Sequence, residues 1–337
     1  MKLSIVILNW NGREMLRTYL PSVVQNTTYD GVEVVVADNG SGDDSIEMLC
    51  REFPSVRIVA LDENYGFAEG YNRALRQLSA DYYLLLNSDV EVRDKDWLTP
   101  LFSYMDEHPD CAACQPKMLS LLNPDTFEYA GAAGGFVDYF GYPYCRGRLL
   151  NKIEKDHGQY DTIQSILWGS GAALFVRAKD YWNAGGLDNS FFAHMEEIDL
   201  CWRLRQLGRD VVCVPQSRVY HLGGGTLNKE NPHKTYLNFR NNLILLYKNL
   251  PSESRLWTVF SMRFVLDTLT AIAYLLTGGY RNTAAVFRAY RDFIKLHSTY
   301  GADRRKNMRR RVVKSIPEAT DKLLFVEYIK LLLSRGR

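Results

Sequence analysis

The chain has 337 residues, 46% of them hydrophobic and 24% charged, with a net charge of +2. That length suits one large or two medium domains with a sizeable core, and the composition is ordinary for a soluble globular protein. The near-neutral balance carries no overall nucleic-acid signal. Six cysteines fit reduced, mostly buried thiols. Cys111-x-x-Cys114 lacks a second pair at zinc spacing, so a metal knuckle is not expected there. The first residues enter a strand at Lys2-Leu3-Ser4-Ile5-Val6 without a charged-then-apolar leader pattern, from which a cytoplasmic location is expected.

Short apolar runs at 5–8, 32–37, 56–61 and 82–86 read as strands, and the segments near 13–25, 43–52, 67–79 and 95–107 as the helices between them. Such alternation predicts a parallel sheet covered on both faces. Right-handed crossovers then put the loops after Leu8, Ala37, Leu61 and Leu86 on one edge, lining one cleft. From about 120 to 165 the chain turns Gly- and Tyr-rich, which predicts loops and short antiparallel strands at a cleft rim. A strand at 171–177, a helix near 196–207, and strands near 211–214 and 218–221 follow. After about 233 the pattern is helical to the end. The expected division is a catalytic domain over 1–232 and a helical extension over 233–337.

Asn87-Ser88-Asp89 stops the apolar run Leu84-Leu85-Leu86 abruptly. Oxygen-bearing side chains two residues apart at a strand end can aim at one hard cation, although the same triplet is also ordinary turn chemistry. Asp38 ends the second strand before Asn39-Gly40-Ser41-Gly42, where a carboxylate can accept from the N–H of a base. Asp43, Asp44 or Ser45 then caps the next helix. The loop Asn64-Tyr65-Gly66-Phe67-Ala68-Glu69-Gly70-Tyr71-Asn72 suits a ligand-contacting turn into a helix, or a plain loop anchored by Phe67. No Gly-x-Gly-x-x-Gly opens a helix after a strand and no phosphate loop occurs, which disfavours dinucleotide dehydrogenases and P-loop enzymes.

Downstream, Phe191-Phe192-Ala193-His194-Met195-Glu196-Glu197-Ile198-Asp199 crowds three carboxylates into the start of a helix. They favour the macrodipole there, and Asp199 is expected to pair with Arg203 on the helix surface. A carboxylate partly desolvated by Phe191 and Phe192 could also serve as a general base. His221 ends a strand before Leu222-Gly223-Gly224-Gly225-Thr226, a place for a structural, metal-binding or phosphate-binding histidine.

Taken in order, Ser4–Gly12, Val35–Ser41, Asn64–Ala68, Leu85–Asp89, Gly169–Phe175, Phe191–Arg203 and His221 resemble the family 2 glycosyltransferases, most closely the rhamnosyltransferase-like branch, over roughly residues 3–245. The resemblance implies an α/β, Rossmann-like GT-A fold of the nucleotide-diphospho-sugar transferases, with a helical C-terminal region. It implies an inverting enzyme that moves a sugar from a nucleoside-diphosphate donor, dTDP-rhamnose or a UDP-sugar, to a saccharide or lipid-linked acceptor in bacterial surface-polysaccharide synthesis. By the same resemblance Asp38 meets the pyrimidine, with Leu8, Asn9, Trp10, Asn64, Gly66, Phe67, Asn72, Asn87 and Ser88 on the donor side. Gly169, Ser170, Gly171, Glu196 and Asp199 fall on the acceptor side. Asp89, His221 and Asn87 would hold Mn2+ or Mg2+, and Glu197 would be the base. Two positions depart from the family pattern: Asn87 stands for the first Asp of the Asp-x-Asp triplet, and Glu197 for an Asp. A nucleotidyltransferase is the enzymatic alternative, but Leu8–Arg13 lacks its Gly-rich basic signature. A catalytically silent sugar-nucleotide-binding protein is the other.

In the helical third, 259–276 is apolar, but Arg263 and Asp267 would each cost roughly 2.5–3.5 kcal/mol at a bilayer centre. A helix packed on the domain or lying in the membrane interface is expected instead. The basic cluster Arg304, Arg305, Lys306, Arg309, Arg310, Arg311 and Lys314 reads equally as a site of peripheral contact with anionic membrane or as a solvated charge run.

Overall fold

A computed structural model describes residues 2–150, 152–223, 231–319, 322–324 and 326. Its first half alternates β1 (Leu3–Asn9), α1 (Arg13–Gln25), β2 (Val32–Asn39), α2 (Ser45–Glu52), β3 (Arg57–Leu61), α3 (Gly66–Leu75), β4 (Tyr82–Leu86), β5 (Val90–Glu91), α4 (Thr99–Glu107) and β6 (Cys111–Ser120). Short strands β7 (Gly135–Val137), β8 (Pro143–Cys145), β9 (Arg148–Leu149), β10 (Lys152–Ile153) and β11 (Gln164–Ser165) come next. Then follow β12 (Ala173–Arg177), α5 (Ala178–Ala184), α6 (Glu196–Gln206) and β13 (Asp210–His221). Helices α7 (Pro232–Asn249), α8 (Glu253–Leu276), α9 (Tyr280–Leu296) and α10 (Gly301–Arg310) complete the described elements.

The main sheet runs β11-β13-β6-β12-β4-β1-β2-β3, with β5 added to the end of β13. Strands β1 to β4 pair in parallel, β12 lies antiparallel between β4 and β6, and β13 is parallel to β6. Register sets Asn9 beside Asp38 and Ile7 beside Leu86, so these strand ends open on one edge. Alternation along the strands divides the core in two. Leu3, Ile5, Ile7, Leu84 and Leu86 pack with α1, α2 and α4 on one face. Val6, Tyr83 and Leu85 pack with α3, α5 and α6 on the other, where α7, α8 and α9 extend the same core.

Strand β6 was not expected from the sequence. Its Cys111-Ala-Ala-Cys114 run is buried between neighbours on both sides, where cysteine behaves as a small hydrophobe. The two strands expected near 211–214 and 218–221 are one strand, β13, whose register shifts between Val214 and Arg218. The Gly- and Tyr-rich stretch forms the small antiparallel sheet β10-β9-β8-β7. Gly224, Gly225 and Thr226 of the expected glycine loop lie outside the described residues.

Candidate active site

The loops after β1, β2 and β3 are bound to each other. Asp38 is buried, with Oδ2 accepting from Asn9 Nδ2 at 2.9 Å and Oδ1 from the Ser41 amide at 2.9 Å. Asn9 Oδ1 is buried without a partner, and a Cβ on Gly12 would come within 2.5 Å of it. Leu8 packs against the core, while Trp10 stands half exposed beside this loop. Asn39, which the sequence reading did not single out, fastens the next loop. Its Nδ2 donates to Asn64 Oδ1 and the Gly66 carbonyl, both at 3.0 Å, and its Oδ1 accepts from the Tyr65 amide at 3.1 Å. Gly66 has φ +75°, and any Cβ there would sit 2.5 Å from the Phe192 ring, so both backbone and space demand glycine.

The second corner forms where β5 pairs with β13, setting Val90 opposite His221. That pairing delivers His221 Nε2 to 3.0 Å from Asp89 Oδ1 and 3.3 Å from Asn87 Nδ2, with half-buried Ser88 between the two triplet ends. Glu128 Oε1 lies 3.4 Å from His221 Nδ1, on the far side of the ring. Burial opposes charge on His221, but the hydrogen bond to Asp89 and the nearby Glu128 carboxylate outweigh it and raise the imidazole to about 10. Burial likewise pushes the Asp89 carboxyl up, yet the His221 bond wins and holds it below its usual range. Among the described residues no group of three or more His, Cys, Asp and Glu side chains is set to hold a metal. One carboxylate, one imidazole and the Asn87 amide still fit a divalent ion that takes its remaining ligands from phosphate and water. Glu128 lies behind His221 on the side from which a carboxylate can orient a metal-binding histidine, and no sequence signal marked it.

The third corner is the start of α6. Phe192, His194 and Met195 all have positive φ (61°, 69° and 77°), a conformation that costs non-glycine residues energy and persists only where neighbours impose it. Helix α7 imposes it here. Buried Asn241 donates through Nδ2 to the carbonyls of Phe191, Ala193 and His194 at 2.7–2.9 Å. Arg240 Nη2 reaches the Ser190 and Phe191 carbonyls at 3.2 Å. The loop delivers Glu196 and Glu197 into the interior with both Oε2 atoms buried and without partners. Burial raises both carboxyls above the ordinary range, Glu196 further through the charge of Glu197.

Gly171 separates Glu197 from Phe67: a Cβ on it would lie 3.3 Å from the Phe67 ring and 3.6 Å from Glu197 Cβ. The next residue, Ala172, accepts from the Asn87 amide at 3.0 Å. Two consecutive residues thus touch the Glu197 corner and the corner of Asn87, Asp89 and His221. Gly169 lies against Leu174, and the Ser170 amide donates to Gln115 Oε1 at 2.9 Å, so this segment is held from behind.

Two residues of the expected site are occupied elsewhere. Asn72 is buried, accepting from Tyr181 Oη and donating to the Leu187 carbonyl, each at 2.7 Å. Asp199 and Arg203 pair at 2.7 Å as expected, but in the interior rather than on the helix surface. The other Asp199 oxygen accepts from Asn249 at 2.7 Å. Both side chains have their hydrogen bonds met away from the cleft, and they read as supports rather than ligand contacts. The basic cluster at 304–314 is also partly structural: Arg304 donates to the Leu250 carbonyl and Arg310 to Asn183.

Residues 4–163 match the profile of glycosyl transferase family 2. The chain is 28% identical over 222 residues to an O-antigen biosynthesis protein, RfbC, of Myxococcus xanthus, a match covering 65% of this chain but 17% of that one. It is 26% identical over 237 residues to an N-acetylglucosaminyl-diphospho-decaprenol L-rhamnosyltransferase of Mycobacterium tuberculosis, covering 65% of this chain and 75% of that one. The solved structure of GalNAc-T7 with UDP, GalNAc and Mn2+ superimposes with a TM-score of 0.58 at 15% identity, over 74% of this chain and 48% of that one. With the mixed α/β sheet, that likeness gives the GT-A fold expected from the sequence. Sequence motifs, family profile and relatives agree on a family 2 glycosyltransferase domain, whose profile covers residues 4–163.

Proposed function

We propose that the protein transfers a sugar, with inversion, from a nucleoside-diphosphate donor to a saccharide or lipid-linked acceptor in surface-polysaccharide synthesis, and that residues 1–232 form the catalytic part. The observation carrying this reading is the adjacency of Gly171 and Ala172, one beside Glu197 and the other bonded to Asn87. It supports a proton acceptor and a cation corner on the two sides of one short segment. Asp38 and the tied loops around Asn9, Ser41 and Asn64 would cradle the nucleoside, with Trp10 at its edge. A divalent ion held by Asp89, His221 and Asn87 would neutralise the charge that builds on the leaving diphosphate. Glu197 would take the proton of the acceptor hydroxyl as its oxygen bonds the anomeric carbon and the bond to diphosphate breaks. Its orphaned oxygen and raised carboxyl suit a base working near neutral pH. The decaprenol-linked acceptor in the name of the mycobacterial relative supports a rhamnosyl donor and a lipid-linked acceptor here, with work at the cytoplasmic membrane surface.

Release of nucleoside diphosphate with Mn2+ or Mg2+, across a panel of dTDP- and UDP-sugars, tests the reading. Diphosphate release coupled to glycosylated product supports it. Pyrophosphate release would identify a nucleotidyltransferase, and binding without any release a silent sugar-nucleotide-binding protein.

A further inference from the structure

Helix α8 is long and apolar enough by composition to cross a membrane, but the placement of its charges points to a different use. Between Leu256 and Tyr280 the sequence carries two ionised side chains, Arg263 and Asp267. Both are buried, and both point into the protein. Arg263 Nη2 lies 3.1 Å from Asp267 Oδ2, which also accepts from Tyr290 of α9 at 2.7 Å. Tyr142 of the catalytic half donates to Asp267 Oδ1 at 2.7 Å, its ring lying 3.8 Å from the Arg263 guanidinium, and Asn242 of α7 takes another guanidinium N–H. The outward side is the reverse: Trp257, Phe264, Val265, Leu269, Ile272 and Leu276 are all exposed, Trp257 by 73% and Leu276 by 82%. A helix on a water-facing surface turns its charges out and its apolar stripe in. From Leu256 onward the charges are inside, and a helical stretch about 30 Å long shows an uncharged face.

We propose that this face of α8 is a membrane-interface docking surface, sunk into the headgroup–acyl boundary of an anionic bilayer with the helix lying in its plane. A span is ruled out by the inner side, which packs its ion pair against α7, α9 and Tyr142 and cannot face lipid. The neighbouring helix supplies the charge complement. Exposed Arg281, Arg288, Arg291 and Lys295 ride on α9, where Asp292 is the one acid. A basic edge beside an apolar face matches anionic headgroups above acyl chains. A second copy docking two-fold on the same face would instead bring two basic edges together. The inference rests on the lipid-linked-acceptor reading and sharpens it. Asn242 holds the ion pair of α8 while the preceding residue, Asn241, holds the loop that carries Glu197, so one helix joins the docking face to the base.

Flotation of the full chain with phosphatidylglycerol-containing vesicles, against pure phosphatidylcholine vesicles, tests this. The wild type should float with anionic vesicles at low salt. Leu269→Glu with Ile272→Glu should weaken that by at least about tenfold. Arg288→Glu should weaken it about fivefold and flatten its salt dependence. Brominated lipid should quench a fluorescence component that is lost in Trp257→Phe. All these positions are exposed, so the variants should keep their circular dichroism. They should also keep metal-dependent nucleoside-diphosphate release, which separates failure of this inference from failure of the glycosyltransferase reading. Absence of flotation by the wild type overturns the proposal, as does unchanged flotation of the Leu269→Glu/Ile272→Glu variant. So does a dimer in sedimentation that this variant dissociates while vesicles bind neither form, which would assign the face to a second copy.

Discussion

At the strand-end corner Asp89 is buried but meets His221 at 3.0 Å, with Glu128 behind the ring. At the helix-end corner Glu196 is just as deep and Glu197 is half-buried, and the buried Oε2 atoms of both meet nothing. The first corner is stabilised by its own pairing and would exchange that pairing for a cation. The second is destabilised by burial without partners and is kept in place by Asn241 and Arg240 from another helix. The contrast shows how one cleft can hold carboxylates in two states, one paired and one with unpartnered oxygens, which in the proposed reaction would suit a cation ligand and a proton acceptor.

The largest test removes the unpaired group. Glu197→Gln should lower transfer by about 10²–10⁴-fold in single-turnover assays and leave nucleoside-diphosphate binding by calorimetry unchanged. Near wild-type transfer would sink the base assignment. In the wild type, the acid limb of the rate profile should fall well above the ordinary Glu value of about 4.3, because burial raises this carboxyl and activity is lost as pH drops through it. A limb at the ordinary value would mean that the group is solvated in the working enzyme.

Next comes the paired corner. Glu128→Gln should weaken Mn2+ activation about 10–100-fold, with the rate recovering at high metal, as expected for a group that orients a ligand. An unchanged metal titration would remove Glu128 from that role. Asn241→Ala leaves three loop carbonyls short of a donor. It should cost about 1–3 kcal/mol of stability and lower kcat more than it changes donor KM. Equal loss in both would make Asn241 a general stabiliser rather than a positioner of the base.

The smallest effect tests the stored cost directly. The Glu196 carboxyl is raised on folding, so the stability it takes away is absent in acid and appears as pH rises through its folded value. Glu196→Gln should therefore stabilise by on the order of 1 kcal/mol at neutral pH and not in acid, read by chemical denaturation at both. No difference between the two conditions would contradict burial as the cause.

The first 107 residues were legible because each element there carries its own period. Strands at 5–8, 32–37 and 82–86 and the helix at 13–25 appear within a few residues of their expected bounds. Strand β6 was missed because Cys-Ala-Ala-Cys has neither alternation nor branched side chains, and only neighbours on both sides make it a strand. Asp38, Asp89, Glu197 and His221 were legible as polar groups at element ends, where loop chemistry interrupts an apolar pattern. Asn39, Glu128 and Asn241 were not, since an asparagine or glutamate in a loop or helix looks the same whether it meets water or a distant backbone.

Local sequence thus determined which segments are strands and helices, and which polar residues end them, because both follow from residue period and turn chemistry within a few positions. Only the tertiary structure decided which of those polar groups would be satisfied. It bonded Asp89 to a histidine 132 residues away, left the Glu197 Oε2 without a partner, and turned Arg263 and Asp267 inward to leave α8 an uncharged outer face beyond Arg255. Solvation and pairing depend on what the rest of the chain brings alongside, and no window of sequence contains that.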